Sequence, residues 1–151
     1  MDSRKKRVIP IGVLHLKDAA GNLMYDELPD GKADLTKPCR VRLHGPGSPV
    51  FVAEKQALLR EGLELSRAKD REKKEDAAMD AIASGSRRVE ALIKTTEGWE
   101  NFDAYTADNE KLIGAAQSRA IYEDPALGYI VEQVDAYVGK WANFMPGLPT
   151  A

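Results

Sequence analysis

The chain opens on two-residue alternation and closes on helical periodicity. Between Val8 and Lys17, β-branched residues recur, with Val13, His15 and Lys17 on one side and Gly12, Leu14 and Leu16 on the other. That period predicts a strand. Asp18–Asn22 and Leu28–Lys32 carry turn residues, and Leu23-Met24-Tyr25 between them reads as a short partner strand. From Lys37 to His44, Cys39, Val41 and Leu43 alternate with Arg40, Arg42 and His44, the pattern of a half-buried strand. Residues 8–48 are therefore expected to form a small antiparallel sheet. Because so small a sheet is marginal in water, it must lean on a helix or a partner.

The period then changes. Gly45-Pro46-Gly47 ends the sheet, Ser48 is suited to cap a helix and Pro49 to begin one. On a helical wheel Phe51, Val52, Leu58, Leu59, Leu63 and Leu65 share an arc of about 160°, wider than the roughly 100° stripe that one-sided packing needs. Phe51, Leu58 and Leu65 form one seven-residue row, and Val52, Leu59 and Leu63 form a second. One row is expected to pack on the chain's own sheet and the other to be left for self-association or for a partner helix. Between Arg67 and Asp76 only Ala68 is uncharged, which fits either a solvated helix laced with ion pairs or a linker. Ser84-Gly85-Ser86 interrupts the pattern. Arg87–Glu97 forms a narrow apolar stripe, with Gly98 as its stop signal.

Residues 99–145 read as a second helical region: an aromatic loop from Trp99 to Tyr105, a short helix from Thr106 to about Ser118, and a last helix opened by Asp124-Pro125. In that last helix Leu127, Ile130, Val131, Val134, Val138, Trp141 and Met145 lie within about 100° of one another. Val131, Val134, Val138 and Trp141 are expected to be buried against Trp99 or Phe102. Residues 1–7, with Arg4-Lys5-Lys6-Arg7, form a disordered basic start, and 146–151 a tail. The fold class is thus α+β: a small N-terminal antiparallel sheet followed by a bundle of four to five helices.

Composition narrows the chemistry. In 151 residues, 43% are hydrophobic and 30% charged, and the net charge is −2; this is the balance of a globular chain without the basic field that gathers nucleic acid. No apolar run approaches the roughly 20 residues that span a bilayer. One cysteine, Cys39, excludes an internal disulfide, and with only His15 and His44 beside it little is left for a metal site. These features point to an intracellular, reducing compartment. Cys39 and His44 are five apart on one strand and its exit, so their side chains face opposite ways and make no nucleophile pair. Gly45-Pro46-Gly47-Ser48 resembles an anion cradle but lacks the following Lys of a phosphate loop, and reads as a turn with a helix cap. No carboxylate pair sits in a context that would shift its pKa. Residues 99–151 carry net charge −5, suited to docking a basic or amphipathic partner. No enzymatic constellation and no cofactor site is expected.

The order of these features resembles the tail assembly chaperones of tailed bacteriophages and prophages. The likeness rests on the β region running into Gly45-Pro46-Gly47-Ser48 and a helix, the charged middle, and Trp99-Glu100-Asn101-Phe102. It continues through Tyr105-Thr106, Asn109, Asp124-Pro125, Leu127, Ile130, Gln133-Val134, Tyr137-Val138 and Asn143-Phe144. It implies a role without catalysis, in which the protein coats the tape measure protein, and helps the tail tube assemble around it, in the host bacterial cytoplasm. The resemblance further implies absence from the mature virion. The alternative is a small structural protein retained in the tail or at the head–tail junction.

Overall fold

A computed structural model describes residues 1–69 and 77–147, and side chains outside 65–84. Among these residues the fold is α+β, as the change of period requires. Five strands and four α-helices follow one another along the described residues: β1 (Ile11–His15), β2 (Tyr25–Glu27), β3 (Ala33–Pro38), β4 (Arg40–His44), α1 (Pro49–Lys69), α2 (Ala77–Thr95), β5 (Thr96–Glu100), α3 (Gly114–Tyr122) and α4 (Gly128–Val138). One sheet has the order β1-β4-β5, antiparallel throughout, and β2 and β3 form a separate hairpin. Residues 70–76, most of the charged run, lie outside the described residues, as do 148–151 of the tail.

The alternation expected from Cys39 to His44 is realised residue by residue, whereas in β1 the adjacent His15 and Leu16 are both buried. Cys39, Val41 and Leu43 are buried, while Arg40, Arg42 and His44 are only partly covered. The expected single strand from Lys37 to His44 is divided at Cys39, whose N–H donates to Met24 O at 2.9 Å while its carbonyl accepts from Leu16 N at 2.9 Å. Cys39 thereby hinges the hairpin to the larger sheet. Ser3–Lys6, expected to be disordered, forms an exposed 3-10 turn capped by Asp2.

The β signals do not stop at His44. Thr96–Glu100 is a strand, not a helix end followed by an aromatic loop, and it completes the sheet beside β4. The stripe through Val89, Leu92, Ile93 and Thr96 conceals this, because α2 passes into β5 with no intervening residue. Gly98 is better explained by the sheet than by helix termination. Arg42 reaches across β5 to pair with Glu97 and, at 3.1 Å, with Glu100. A Cβ on Gly98 would sit 2.6 Å from the Arg42 Nη2. Ser84-Gly85-Ser86 likewise interrupts nothing; it lies inside α2, where one exposed glycine costs only about 1 kcal/mol relative to alanine.

Two further boundaries differ from the sequence reading. Thr106 caps a turn rather than a helix: Thr106 Oγ1 accepts from Glu110 N at 3.1 Å. Asn109 (φ 62°) and Gly114 (φ 62°) adopt left-handed backbone that no α-helix can run through. Helix α3 therefore starts only at Gly114. Asp124 does cap, but it caps the 3-10 turn Pro125–Leu127, after which α4 runs from Gly128 to Val138. The long last helix is broken at Gly139. There Asn143 Nδ2 donates to Tyr137 O at 3.0 Å, Tyr137 Oη donates to Asn143 O at 3.3 Å, and Trp141–Phe144 folds back as a 3-10 turn.

The consequence is a swap of aromatic roles. Phe144 is fully buried, its ring laid over the backbone of Gly12 and Gly45, where any Cβ would lie within 2.7 Å of a ring carbon. Trp141, expected in the core, is 58% exposed. Trp99 is held by α3 instead, with its Nε1 donating to Ser118 Oγ at 2.9 Å and its ring against Tyr122 and Phe102. Ile130, Val134 and Val138 are buried as the periodicity requires, while Val131 is half-buried. Trp141→Ala is accordingly expected to cost about 1–2 kcal/mol, below the roughly 3–5 kcal/mol of a fully buried tryptophan, since only part of the ring is covered, as urea unfolding would show.

Helix α4 also closes the β1 edge. The Gln133 side-chain amide imitates a neighbouring strand at Lys17, accepting from its N–H at 2.8 Å and donating to its carbonyl at 2.7 Å. Tyr137 Oη shares its one proton between Asn143 O and Val13 O, the latter at 3.2 Å. Pairing with the Lys17 and Val13 edge groups in this way blunts a strand that would otherwise template aggregation.

Candidate functional site

Helix α1 begins where Ser48 stops the chain from continuing as a strand. Ser48 Oγ donates to Gly45 O at 2.7 Å and accepts from Phe51 N at 3.2 Å. Both polar functions of the apparent anion cradle are thus used within the turn, which is a helix cap. From there α1 lies on α2, its packing partner.

Among the described side chains an ionic cluster joins these helices. Glu54 is buried, with 9% of its side chain exposed, and Arg87 Nη1 approaches its Oε1 to 2.6 Å. Arg87 Nε also donates to Glu61 Oε2 at 2.6 Å, and Lys94 Nζ stands 3.6 Å from Glu54 Oε2. The Glu61 hydrogen bond, first, and the Glu54 contact raise the Arg87 pKa above its ordinary value. The Glu54–Arg87 approach is close but poorly angled, leaving Glu54 Oε1 and Arg87 Nη1 without a well-formed hydrogen bond. It is therefore a charge contact more than a directed one. The signal was present in the sequence: Glu54 and Glu61 are seven apart, as are Arg87 and Lys94, so each pair stacks on one helix face.

These carboxylates occupy the face of α1 that apolar residues would normally take. Phe51, Glu54, Ala57 and Glu61 are the covered or half-covered positions, at helical spacing. The apolar residues are turned the other way: Val52 is 42% exposed, Leu59 61% and Leu63 61%. Of the first row, Phe51 packs against the core and Leu58 remains 37% exposed. The side chain of Leu65 lies outside the described residues. Among the described side chains of the two rows, Phe51 is the one packed against the core.

Beside Leu58 runs a groove of about 440 Å³ between α1, α2 and the end of α4, with Phe51, Leu58, Leu92, Val138 and Trp141 as its apolar lining. The Arg88–Asp135 ion pair stands at the same groove. Trp141, exposed at its edge, was not legible as part of this surface, because the α4 stripe gives no hint of the break at Gly139.

The remaining chemistry is quiet. Cys39 is buried and donates to Asn101 O at 3.0 Å. Burial, helped by Asp26 and Asp103, pushes its thiol above the usual range, so it is no activated nucleophile. His15 Nε2 donates to Met24 O at 2.8 Å and its ring stands edge-on to Tyr25. Burial raises the Tyr122 hydroxyl, which is hydrogen-bonded to Thr96 Oγ1 at 2.6 Å. Among the described residues no cluster of His, Cys, Asp or Glu is arranged to hold a metal ion, and no helix is long and apolar enough to cross a membrane. No protein-family model, curated protein or solved structure matches the chain.

Proposed function

We propose that this chain is a non-catalytic binding protein of bacteriophage tail assembly, which covers the amphipathic helix of a tape measure protein until the tail tube closes around it. One observation carries the reading: the polarity of α1 is inverted, with Glu54 and Glu61 facing α2 and Val52, Leu59 and Leu63 facing water. A helix that spends its carboxylates inward and exposes its aliphatic row is built for a covering that the described residues do not provide. The resemblance to tail assembly chaperones supplies the identity of the partner.

The physics of the task agrees. A long helix with an apolar stripe aggregates unless the stripe is covered. Three aliphatic side chains bind weakly, but many copies along one rod reinforce one another. Weak single contacts also let the tail tube subunit displace the coat. The protein then acts in the host cytoplasm, needs no cofactor and leaves before the particle matures.

Co-expression with the tape measure protein tests this. Leu59→Asp and Leu63→Asp are exposed changes that should leave the melting temperature near that of the parent. Each is expected to lower affinity for the tape measure at least about tenfold, by placing a charge in a buried contact, and to send the tape measure into the insoluble fraction. Unchanged solubility with folded variants would exclude this face. Mass spectrometry of purified particles should find the protein missing; stoichiometric retention would favour the structural component.

A further inference from the structure

We infer that the α1 face selects a helix whose apolar stripe is bordered by acidic side chains. The inference rests on the docking role just proposed and adds the chemistry of the occupant. At 100° per residue, Val52, Leu59 and Leu63 fall within about 40° of one another, centred on the outward side of α1. Lys55 borders them about 60° to one side of Val52 and Arg60 about 80° to the other. Both cations are exposed. Glu54 and Glu61 are turned to the opposite side and engaged by Arg87 and Lys94. Glu64 is exposed but stands further round, about 120° from Val52, beyond Arg60. The apolar row is therefore framed by positive charge on both flanks, although the helix carries acids enough to balance it.

This frame decides among occupants. A second copy of α1 laid on the row, parallel or antiparallel, would bring Lys55 and Arg60 against their own kind, and like charges across a helix pair oppose association. A bilayer surface would also accept a basic-bordered row. However, the row offers three aliphatic residues and no aromatic anchor, too little for stable insertion. An amphipathic helix with Glu or Asp at the positions beside its apolar stripe satisfies both flanks at once.

The probes are two synthetic amphipathic peptides with the same leucine stripe, one bordered by Glu and one by Lys. Fluorescence anisotropy at low salt should show the Glu-bordered peptide binding the intact protein about tenfold more tightly, a preference that shrinks as salt screens it. The double variant Lys55→Glu, Arg60→Glu should invert the preference. Equal binding of the two peptides overturns the charge rule; if Leu59→Asp then abolishes that binding, the docking face itself stands. Binding that Leu59→Asp leaves untouched removes the face as well. Binding of neither peptide, a dimer that Leu59→Asp dissociates, or co-sedimentation with phosphatidylglycerol vesicles each overturns the proposal.

Discussion

Phe144→Ala is expected to lower the unfolding free energy by about 3–5 kcal/mol, a large share of the 5–15 kcal/mol typical of a domain. The ring is fully buried, stacks edge-on against Tyr137 at 5.3 Å, and fills the space left by two glycines on β1 and at the β4 exit. Its removal leaves a cavity bounded by backbone, which has little freedom to collapse. The same residue's carbonyl accepts from Ile9 N at 2.7 Å, so loosening the 141–144 turn also frees the start of β1. Urea titration measures the effect. A loss under about 1 kcal/mol would mean that the C-terminal turn does not close the sheet.

Arg87→Ala should have the second-largest effect. Removing one partner of a buried ion pair leaves the other uncompensated, at a cost of about 3–5 kcal/mol. Here Lys94 still attends Glu54 at 3.6 Å and Glu61 is 46% exposed, so about 2–3 kcal/mol is the expected loss once solvent screening is allowed for. The readout should be local as well as global. Amide exchange in α1 should accelerate more than exchange in β1 or β4, because the helix is held to α2 through this cluster and to the core through Phe51. Uniform acceleration would place the cluster in the global core instead.

The parts of this architecture that were legible in the sequence are those fixed by local period and caps. Alternation at Cys39, Val41 and Leu43 set the face of β4, Ser48 set the start of α1, and Ile130, Val134 and Val138 set the buried stripe of α4. The parts that were not legible depend on partners distant in the chain. Thr96–Glu100 becomes a strand because β4 offers an edge to it, and a window of ten residues sees only the end of a helical stripe. The α4 stripe reads on to Met145, but Tyr137 and Asn143 bond each other across the break and send Phe144, not Trp141, inward. At the candidate surface, the row Val52, Leu59 and Leu63 was visible as apolar. That it faces away from α2 was not, because a wheel ranks residues by hydrophobicity and takes the apolar side to be the inner one. The heptad-spaced Glu54/Glu61 and Arg87/Lys94 decide otherwise.

The claim that α1 presents its outward row to a partner helix is tested most directly by site-specific photocrosslinking in cells that also make the tape measure protein. A benzophenone side chain replaces Leu59 or Leu63 on α1, or, as controls of still greater exposure, Leu35 on β3 (73% exposed) or Ile113 before α3 (76% exposed). The result expected is a crosslink to the tape measure from positions 59 and 63 and none from 35 and 113. Crosslinks from Leu35 or Ile113, with none from α1, would contradict it.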